Sequence, residues 1–481
     1  MKAEAAKKMV VKTKSTTRER SQVARWAMRL AVVAAGGLLV SGCARVAPRT
    51  QRVAYDQATI RDRALRTVEA RATWVTRWDY KTAADVRLII KNCADAGFNT
   101  IFFQVRGNAT AYYRSSIEPW AWELTSSGPA TTGRDPGFDP LALAIESAHR
   151  RGVELHAYMN VFPGWRSQNY PPDEAGQVWT RHPDWFMADR QGRKMIPWDR
   201  NAGQRQDFYS FLNPAMTEVR DYTVAVFREV AQKYDVDGIH LDYCRYPGDV
   251  GDFSYDPVSL RRFREETGKT PDEAPALWVK WRGRQVSEVA NRIYDQCKKV
   301  RPDILITASL ARDPIHDRDQ LMRCGLEWMA AGKLDAACPM IYTPKNEEVA
   351  LSVTQYVNHA SGRLVVAGLM VRGTDPLDLL EQISMARTAG AHGVSLFSYS
   401  ALFPKHKPNN LAKTLAAGPF RARARVPLPS GDLPASLAQK SAATSFRSSR
   451  RGPCPAVRAN EPWQPFAGTT WRLPEAGDKC Q

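Results

Sequence analysis

From residue 71 to about residue 400, short apolar runs rich in β-branched and aromatic residues alternate with longer stretches whose apolar positions recur at helical spacing. That alternation is the pattern of repeated βα units. Eight runs predict strands: Ala72–Trp78, Thr100–Arg106, Val153–Val161, Asp237–Tyr243, Ile304–Ser309, Ala336–Tyr342, Leu364–Met370 and Val394–Tyr399. Helices are predicted between them at Thr82–Ala96, Pro140–Arg151, Pro214–Lys233, Trp278–Val300 and Pro376–Ala389. Gly97, Gly152, Asp235, Asp303, Gly332 and Gly390 each mark a helix end shortly before a strand, which suits an αβ loop. Eight parallel strands with crossover helices close into a barrel, so the predicted fold class is α/β, a (β/α)8 TIM barrel over residues 71–404. An open doubly wound sheet is the rival, but no GxGxxG fingerprint follows the first strand.

Two predicted connections, Gly107 to Asp139 after the second strand and Phe162 to Asn213 after the third, far exceed the usual few residues. Both leave the C-terminal ends of strands, where barrels carry their sites. They hold Trp120, Trp122, Trp165, Trp179, Trp185 and Trp198 with Tyr112, Tyr113, Tyr170, Phe208 and Tyr209. Such rings serve equally as faces for sugar rings or as the private cores of large loops.

Composition bounds the partners. The chain has 481 residues, 43% hydrophobic and 25% charged, which excludes disorder of the whole. Its formal charge of +18 suggests nucleic acid until it is divided along the chain. Residues 1–29 hold nine Lys/Arg and two Glu, residues 405–452 hold ten Lys/Arg and one Asp, and residues 30–404 retain only +2. The central domain therefore gives no electrostatic case for nucleic acid. Anionic lipid headgroups or an anionic wall polymer suit the basic ends better.

Residues 1–43 read as a targeting segment. Arg25 and Arg29 precede the apolar run Leu30 to Val40, and Val40-Ser41-Gly42-Cys43 follows. That run is too short to span a bilayer, for which about 20 residues are needed, and reads as a signal h-region. The four residues ending in Cys43 resemble a bacterial lipobox, which implies acylation of Cys43 and a bacterial cell-envelope location, with the outer membrane facing the periplasm favoured. A start at Met28 would leave a shorter signal. Residues 44–70 then form a linker and residues 405–481 a Pro/Ser/Arg-rich extension. Of the remaining seven Cys, none forms a CxxC pair, so neither a zinc cage nor a dense disulfide framework is indicated. Cys454 and Cys480 are free to pair in an oxidising compartment.

Side chains on a barrel strand alternate between the axis and the surrounding helices. On the third strand Glu154, His156, Tyr158 and Asn160 are predicted to point inward, on the second Gln104 and Arg106, and on the fourth His240 and Asp242. Ser309, Tyr342, Met370 and Tyr399 lie near the inward ends of later strands. Asp242 is the sharpest candidate, because an inward carboxylate at a C-terminal strand end is where a barrel enzyme holds a nucleophile or base. The plainer reading is an Asp that anchors Arg106 or Arg245. His156 offers a hydrogen bond or a proton relay, or is simply a satisfied barrel histidine. Asn160, Tyr342 and Tyr399 read as substrate-orienting groups. No third His stands at a matching strand end, so no metal is expected. Hydrolysis of a glycosidic bond needs a second carboxyl group. Asp313, after the fifth strand, ranks first on position, with Glu118, Glu123 and Asp207 on the long loops behind it.

The segments Arg71-Ala-Thr-Trp-Val, Phe103-Gln-Val-Arg-Gly-Asn, Val236-Asp-Gly-Ile-His-Leu-Asp-Tyr-Cys-Arg-Tyr-Pro247, Trp278-Val-Lys-Trp-Arg282 and Pro339-Met-Ile-Tyr342 resemble the family 10 glycosyl-hydrolase-like lipoproteins over roughly residues 70–400. The resemblance implies a barrel related to the alpha-amylase type and cleavage of peptidoglycan glycan strands. It places Asp242 at the family's fourth-strand Asp and Arg106, His156, Arg245 and Tyr342 on its other motif positions, with Tyr246 in the same segment. Two positions depart from it: His240 replaces the Arg two residues before the nucleophile, and Cys324-Gly325 replaces an Asp-Trp pair. The expected function is thus a lipid-anchored, cofactor-free glycoside hydrolase of the cell wall, centred on Asp242. A glycan-binding lipoprotein that has lost its acid is the contrasting expectation.

Overall fold

The computed structural model describes residues 67–429, apart from 126–127, 168, 197–208, 249 and 374. The expectations for Cys43, Trp198, Asp207, Phe208, Cys454 and Cys480 lie outside the described residues.

Eight parallel strands form a closed barrel: β1 (Ala70–Val75), β2 (Thr100–Arg106), β3 (Glu154–Asn160), β4 (Gly238–Asp242), β5 (Leu305–Ala311), β6 (Ala336–Ile341), β7 (Leu364–Met370) and β8 (Gly393–Phe397). Closure comes from β1 pairing β8, Ala70 opposite Gly393, while β1 also pairs β2, Ala72 opposite Thr100. Around the barrel run α1 (Ala83–Asp95), α2 (Pro140–His149), α3 (Thr217–Lys233), α4 (Pro257–Thr267), α5 (Pro275–Val300), α6 (Pro314–Leu321), α7 (Gly325–Ala330), α8 (Asn346–Asn358), α9 (Pro376–Thr388) and α10 (Asn410–Ala417). All eight predicted strands are present. The first begins and ends earlier than predicted, so Trp78 lies beyond it.

The helix starts are written locally. Four helices, α2, α4, α6 and α9, open with an Asp-Pro pair in which the Asp carboxylate accepts from a backbone N–H of the first turn and Pro takes the first helical position. Asp satisfies an N–H that has no partner inside the helix, and Pro has none to satisfy. α1 uses a capping box, Thr82 with Asp85.

Parity along the strands sorts the core into two shells. Ile101, Phe103 and Val105 of β2, Leu155, Ala157 and Met159 of β3, and Ile239 and Leu241 of β4 join the shell between barrel and helices. Ala70, Ala72, Trp74, Phe102, Tyr158, Cys338 and Val366 fill the barrel itself. Each large side chain taken from water there contributes about 1.5–3 kcal/mol. Room for the large ones comes from glycine: a Cβ on Gly238 would lie 2.4 Å from His156 Nδ1, and one on Gly368 would lie 3.0 Å from the Trp74 ring.

The long loop after β3 folds on itself. A two-stranded antiparallel sheet, Pro163–Trp165 with Ser210–Phe211, braces it, and Trp165, Val178, Trp179, Phe186 and Leu212 form its own core with Ala109, Met216 and Val219. Trp165, Trp179, Tyr112 and Tyr113 are buried. For these four rings the private-core reading is the correct one.

The expected domain boundary at residue 404 is corrected. α10 packs Leu411, Ala412 and Leu415 into the core, and Phe420 is buried after it, so the folded unit runs past residue 420. Among the described residues no helix is long and apolar enough to cross a membrane.

Candidate active site

Asp242 closes β4 with its side chain inside the barrel mouth, 8% exposed. Its carboxylate is held from two sides. Tyr158 donates its hydroxyl to Oδ2 at 2.7 Å, and the Tyr243 backbone N–H donates to Oδ1 at 2.8 Å. The second contact needs the chain to turn sharply past the strand, and Tyr243 does so with φ of 50°. An L residue occupies that region at a cost of order 1–3 kcal/mol, which the surroundings must offset. The Tyr243 ring packs edge-on against Tyr209, ring centroids 5.3 Å apart.

Directly beneath this carboxylate lies a buried imidazole held by uncharged donors and acceptors. Trp74 Nε1 lies 3.0 Å from His240 Nε2. Indole N–H only donates, so Nε2 accepts and the imidazole proton resides on Nδ1, which donates to Thr307 Oγ1 at 2.8 Å. Ser309 Oγ stands 2.9 Å from Nε2 and supplies a second donor. Burial pushes the His240 pKa well below its ordinary value, and nearby His156 adds to this. The His240 ring stacks on Phe102 at 4.1 Å and meets Tyr158 edge-on. Tyr158 is thus fixed by packing before it reaches Asp242. Burial, followed by the charge of Asp242, pushes the Tyr158 hydroxyl well above the usual range, which keeps it a donor.

Tyr342 joins the site. It is part-exposed, its ring leans on Phe397 at 5.6 Å, and its hydroxyl pKa is pushed up by burial and then by neighbouring Asp242. Trp78, 46% exposed just beyond β1, adds an accessible aromatic edge beside Arg77, whose guanidinium lies 4.4 Å from its ring and donates to the Tyr209 hydroxyl.

Other predicted site residues are placed elsewhere. A register shift between Gln104 and Arg106 breaks the parity of β2. Arg106 therefore pairs with Glu118 at 2.6 Å, both side chains fully buried, instead of with Asp242. Burial works against the Arg106 charge, and Glu118 more than offsets it, so the guanidinium pKa is raised. Tyr222 also donates to Glu118, which leaves that carboxyl committed to the ion pair. Asn160 is a strut: its Oδ1 accepts from Gln104 Nε2 and its Nδ2 donates to the Gly107 carbonyl, with no exposure left for substrate. His156 is level with Gly238, four residues or about 13 Å down the strand from Asp242, and its Nε2 faces Glu154 at 3.4 Å. Arg245 is buried, bonds the Tyr246 carbonyl and lies 4.9 Å from the Tyr243 ring, and among the described residues no ion pair joins it to Asp242. Tyr246 is 1% exposed with its hydroxyl 3.3 Å from Ser254, away from any cleft surface.

Tyr399 is corrected in the same way. β8 stops at Phe397, and Tyr399 begins a short helix, where its hydroxyl accepts from Asn92 of α1 and its ring stacks on Phe403. Asp313 is the exposed N-cap of α6, accepting from the Ile315 and His316 N–H groups. It is one of the four Asp-Pro caps. Glu123 is buried against Arg77, Oε1 3.4 Å from Nε. The residues the prediction passed over are Tyr158, Trp74 and His240; strand parity had already turned Tyr158 and His240 inward. Among the described residues no group of three or more His, Cys, Asp or Glu is arranged to hold a metal ion.

The fold is similar to that of solved glycosidases. The glycoside hydrolase domain of PgaB (BpsB) from Bordetella bronchiseptica superposes with a TM-score of 0.52 at 14% identity, covering 70% of this chain and 97% of that one. The catalytic domain of the beta-amylase from Paenibacillus polymyxa superposes with a TM-score of 0.52 at 10% identity, covering 74% of this chain and all of that one. At these identities the likeness concerns the fold. In sequence the chain is 25% identical over 310 residues to Glycosyl hydrolase YngK of Bacillus subtilis (strain 168), covering 57% of this chain and 54% of that protein. It is 26% identical over 279 residues to Glycosyl hydrolase DigH of Escherichia coli (strain K12), covering 53% and 56%. The chain thus spans about half the length of these curated relatives. Residues 69–368, more than half of the chain, match the profile of the family described as Glycosyl hydrolase-like 10, and the chain belongs to that family.

Proposed function

We propose that this protein hydrolyses glycan strands of the bacterial cell wall, with Asp242 as the carboxylate that attacks the anomeric carbon or activates water, while the glycosidic oxygen leaves as a hydroxyl on taking a proton from a second acid that the described residues do not single out. The observation that carries this reading is the Asp242 carboxylate itself, inward at the end of β4 and oriented by Tyr158 and the Tyr243 N–H. Two hydrogen bonds to one carboxylate fix its aim while a lone pair stays available for the reaction. Part-exposed Tyr342 beside it is suited to binding a sugar hydroxyl. Acylation of Cys43 would hold the enzyme in the cell envelope beside its substrate, at the outer membrane facing the periplasm. Membership in the Glycosyl hydrolase-like 10 family supports the reaction class.

A second reading, a glycan-binding lipoprotein without catalysis, draws on the fates of Asp313 and Glu118: the first caps a helix and the second is locked to Arg106. The two readings separate on one experiment. Residues 44–481 and the Asp242→Asn variant are incubated with purified wall glycan, intact and peptide-free, and released fragments are identified by mass spectrometry. New reducing ends from the parent alone establish glycosidase activity that needs Asp242. Retained glycan binding with no fragments from either protein moves the function to binding.

A further inference from the structure

The chain comes into the barrel and leaves it side by side on the floor, the face made by the N-terminal ends of the strands. Val68 and Arg425 form a parallel bridge, with Glu69 N donating to the Arg425 carbonyl and Arg425 N to the Thr67 carbonyl, each at 2.9 Å. Side chains lock this clasp: Asn99 Nδ2 donates to the Ala424 carbonyl at 3.1 Å, and Phe420 packs edge-on against Phe98 at 5.4 Å. Both outgoing lengths of chain are therefore tied to one patch, on the side opposite Asp242.

That patch is cationic, and so are the segments tied to it. Arg151, Lys299, Lys413 and Arg421 stand exposed on the floor turns and on the helix leading to the clasp, with no acidic partner among the described residues. Two of the floor acids are held by bases, Asp235 by Arg301 at 2.9 Å and Asp335 by Lys298 at 2.8 Å, while Asp237 and Glu154 face His149 and His156 and Asp303 is exposed. Residues 44–66 carry six Arg against two Asp, and residues 430–452 carry four Lys/Arg against one Asp.

We propose that the barrel floor is the membrane-facing surface of this protein, binding anionic phospholipid headgroups, so that the mouth holding Asp242 faces away from the bilayer. The inference rests on the anchoring of Cys43 proposed above. Cys43 precedes Thr67 by 24 residues, a reach of at most about 85 Å when fully extended, so attachment at Cys43 sets an upper distance from the bilayer and no orientation. Headgroup attraction for the floor cations, which acts within a Debye length of about 8 Å, supplies the orientation. Lipid is favoured over an anionic wall polymer because the entry of the chain at Thr67, on the side of Cys43 in sequence, and its exit at Arg425 lie on the same face.

The test uses the unacylated chain 44–481, which contains the whole described barrel, sedimented with vesicles of about 30 mol% phosphatidylglycerol in phosphatidylcholine and with pure phosphatidylcholine. The parent is expected to partition onto the anionic vesicles only, and added salt should release it. The floor pair Lys413→Glu/Arg421→Glu should bind at least about tenfold more weakly. The charge-matched mouth pair Arg134→Glu/Lys345→Glu should bind like the parent, and unchanged melting temperatures should show that both pairs are folded. Equal weakening by the mouth pair, absence of vesicle binding by the parent, or binding to isolated anionic wall polymer in its place would each overturn the proposal. Palmitate incorporation at Cys43 in cells is scored separately, so failure of the anchor and failure of the floor remain distinguishable.

Discussion

The Tyr158 hydroxyl donates to Asp242 Oδ2 at 2.7 Å across neighbouring strands, and it does so because the two residues stand on inward positions of β3 and β4 near the barrel mouth. Asn160 is the residue level with Asp242 in the register, so Tyr158 reaches up from one inward layer below. The long phenol ring spans that step.

Tyr158→Phe should keep the fold and remove one of the two bonds that aim Asp242. A hydrogen bond to a charged group is worth about 1.5–3 kcal/mol, so kcat on wall glycan should fall roughly tenfold to a hundredfold with KM little changed. Steady-state kinetics of the purified variant checks this; an unchanged kcat would remove Tyr158 from the site.

Arg106 and Glu118 predict a stability effect of a different size. Both are fully buried, so Glu118→Ala leaves an uncompensated guanidinium in the core and should destabilise by about 3–5 kcal/mol in urea unfolding. Arg106→Met/Glu118→Leu together should recover most of that loss. Were Glu118 the proton donor, the double variant would be folded and inactive; with its carboxyl committed to Arg106, activity should return with the fold.

Asp313→Ala tests the cap against the acid. Loss of the α6 N-cap should cost about 1 kcal/mol and lower the melting temperature by a few degrees, with kcat unchanged. A fall in kcat of about 10²-fold or more would return Asp313 to the catalytic machinery.

Stability should fall on the acid side of neutrality. Burial holds the His240 pKa well below 6.5, so as the pH drops below 6.5 the unfolded chain takes up a proton that the folded chain refuses. This contribution is fully present above pH 6.5 and is lost as the pH falls, at a limiting slope of about 1.4 kcal/mol per pH unit. His392, also lowered by burial, acts in the same direction. His149 acts against them, since its bond to Asp237 outweighs burial and raises its pKa. Comparison with His240→Gln isolates the one residue: the variant should be less stable at pH 7.5 yet show a flatter loss between pH 7 and 5.5 in denaturant titrations. Equal slopes would mean that His240 is not buried as a neutral imidazole.

Much of the fold was legible in the chain alone. Strand period, helix period and Asp-Pro or Gly punctuation are properties of a few successive residues, so all eight strands could be located, and the inward faces of β3 and β4 could be read by parity. Asp242 at a strand end followed from the same local rule. What the sequence left open was decided by contacts between distant residues. A bulge at Gln104 turned Arg106 toward Glu118, and closure of the barrel set Asn160 between Gln104 and Gly107. Asp313 and Tyr399 each lie a residue or two past a strand end, where parity no longer holds and the local turn directs the side chain to a helix. Alternation fixes which face a side chain takes, because the backbone geometry is local. Which partner meets it there depends on eight strands closing at once, and only the tertiary structure joins Tyr158 to Asp242 and Trp74 to His240.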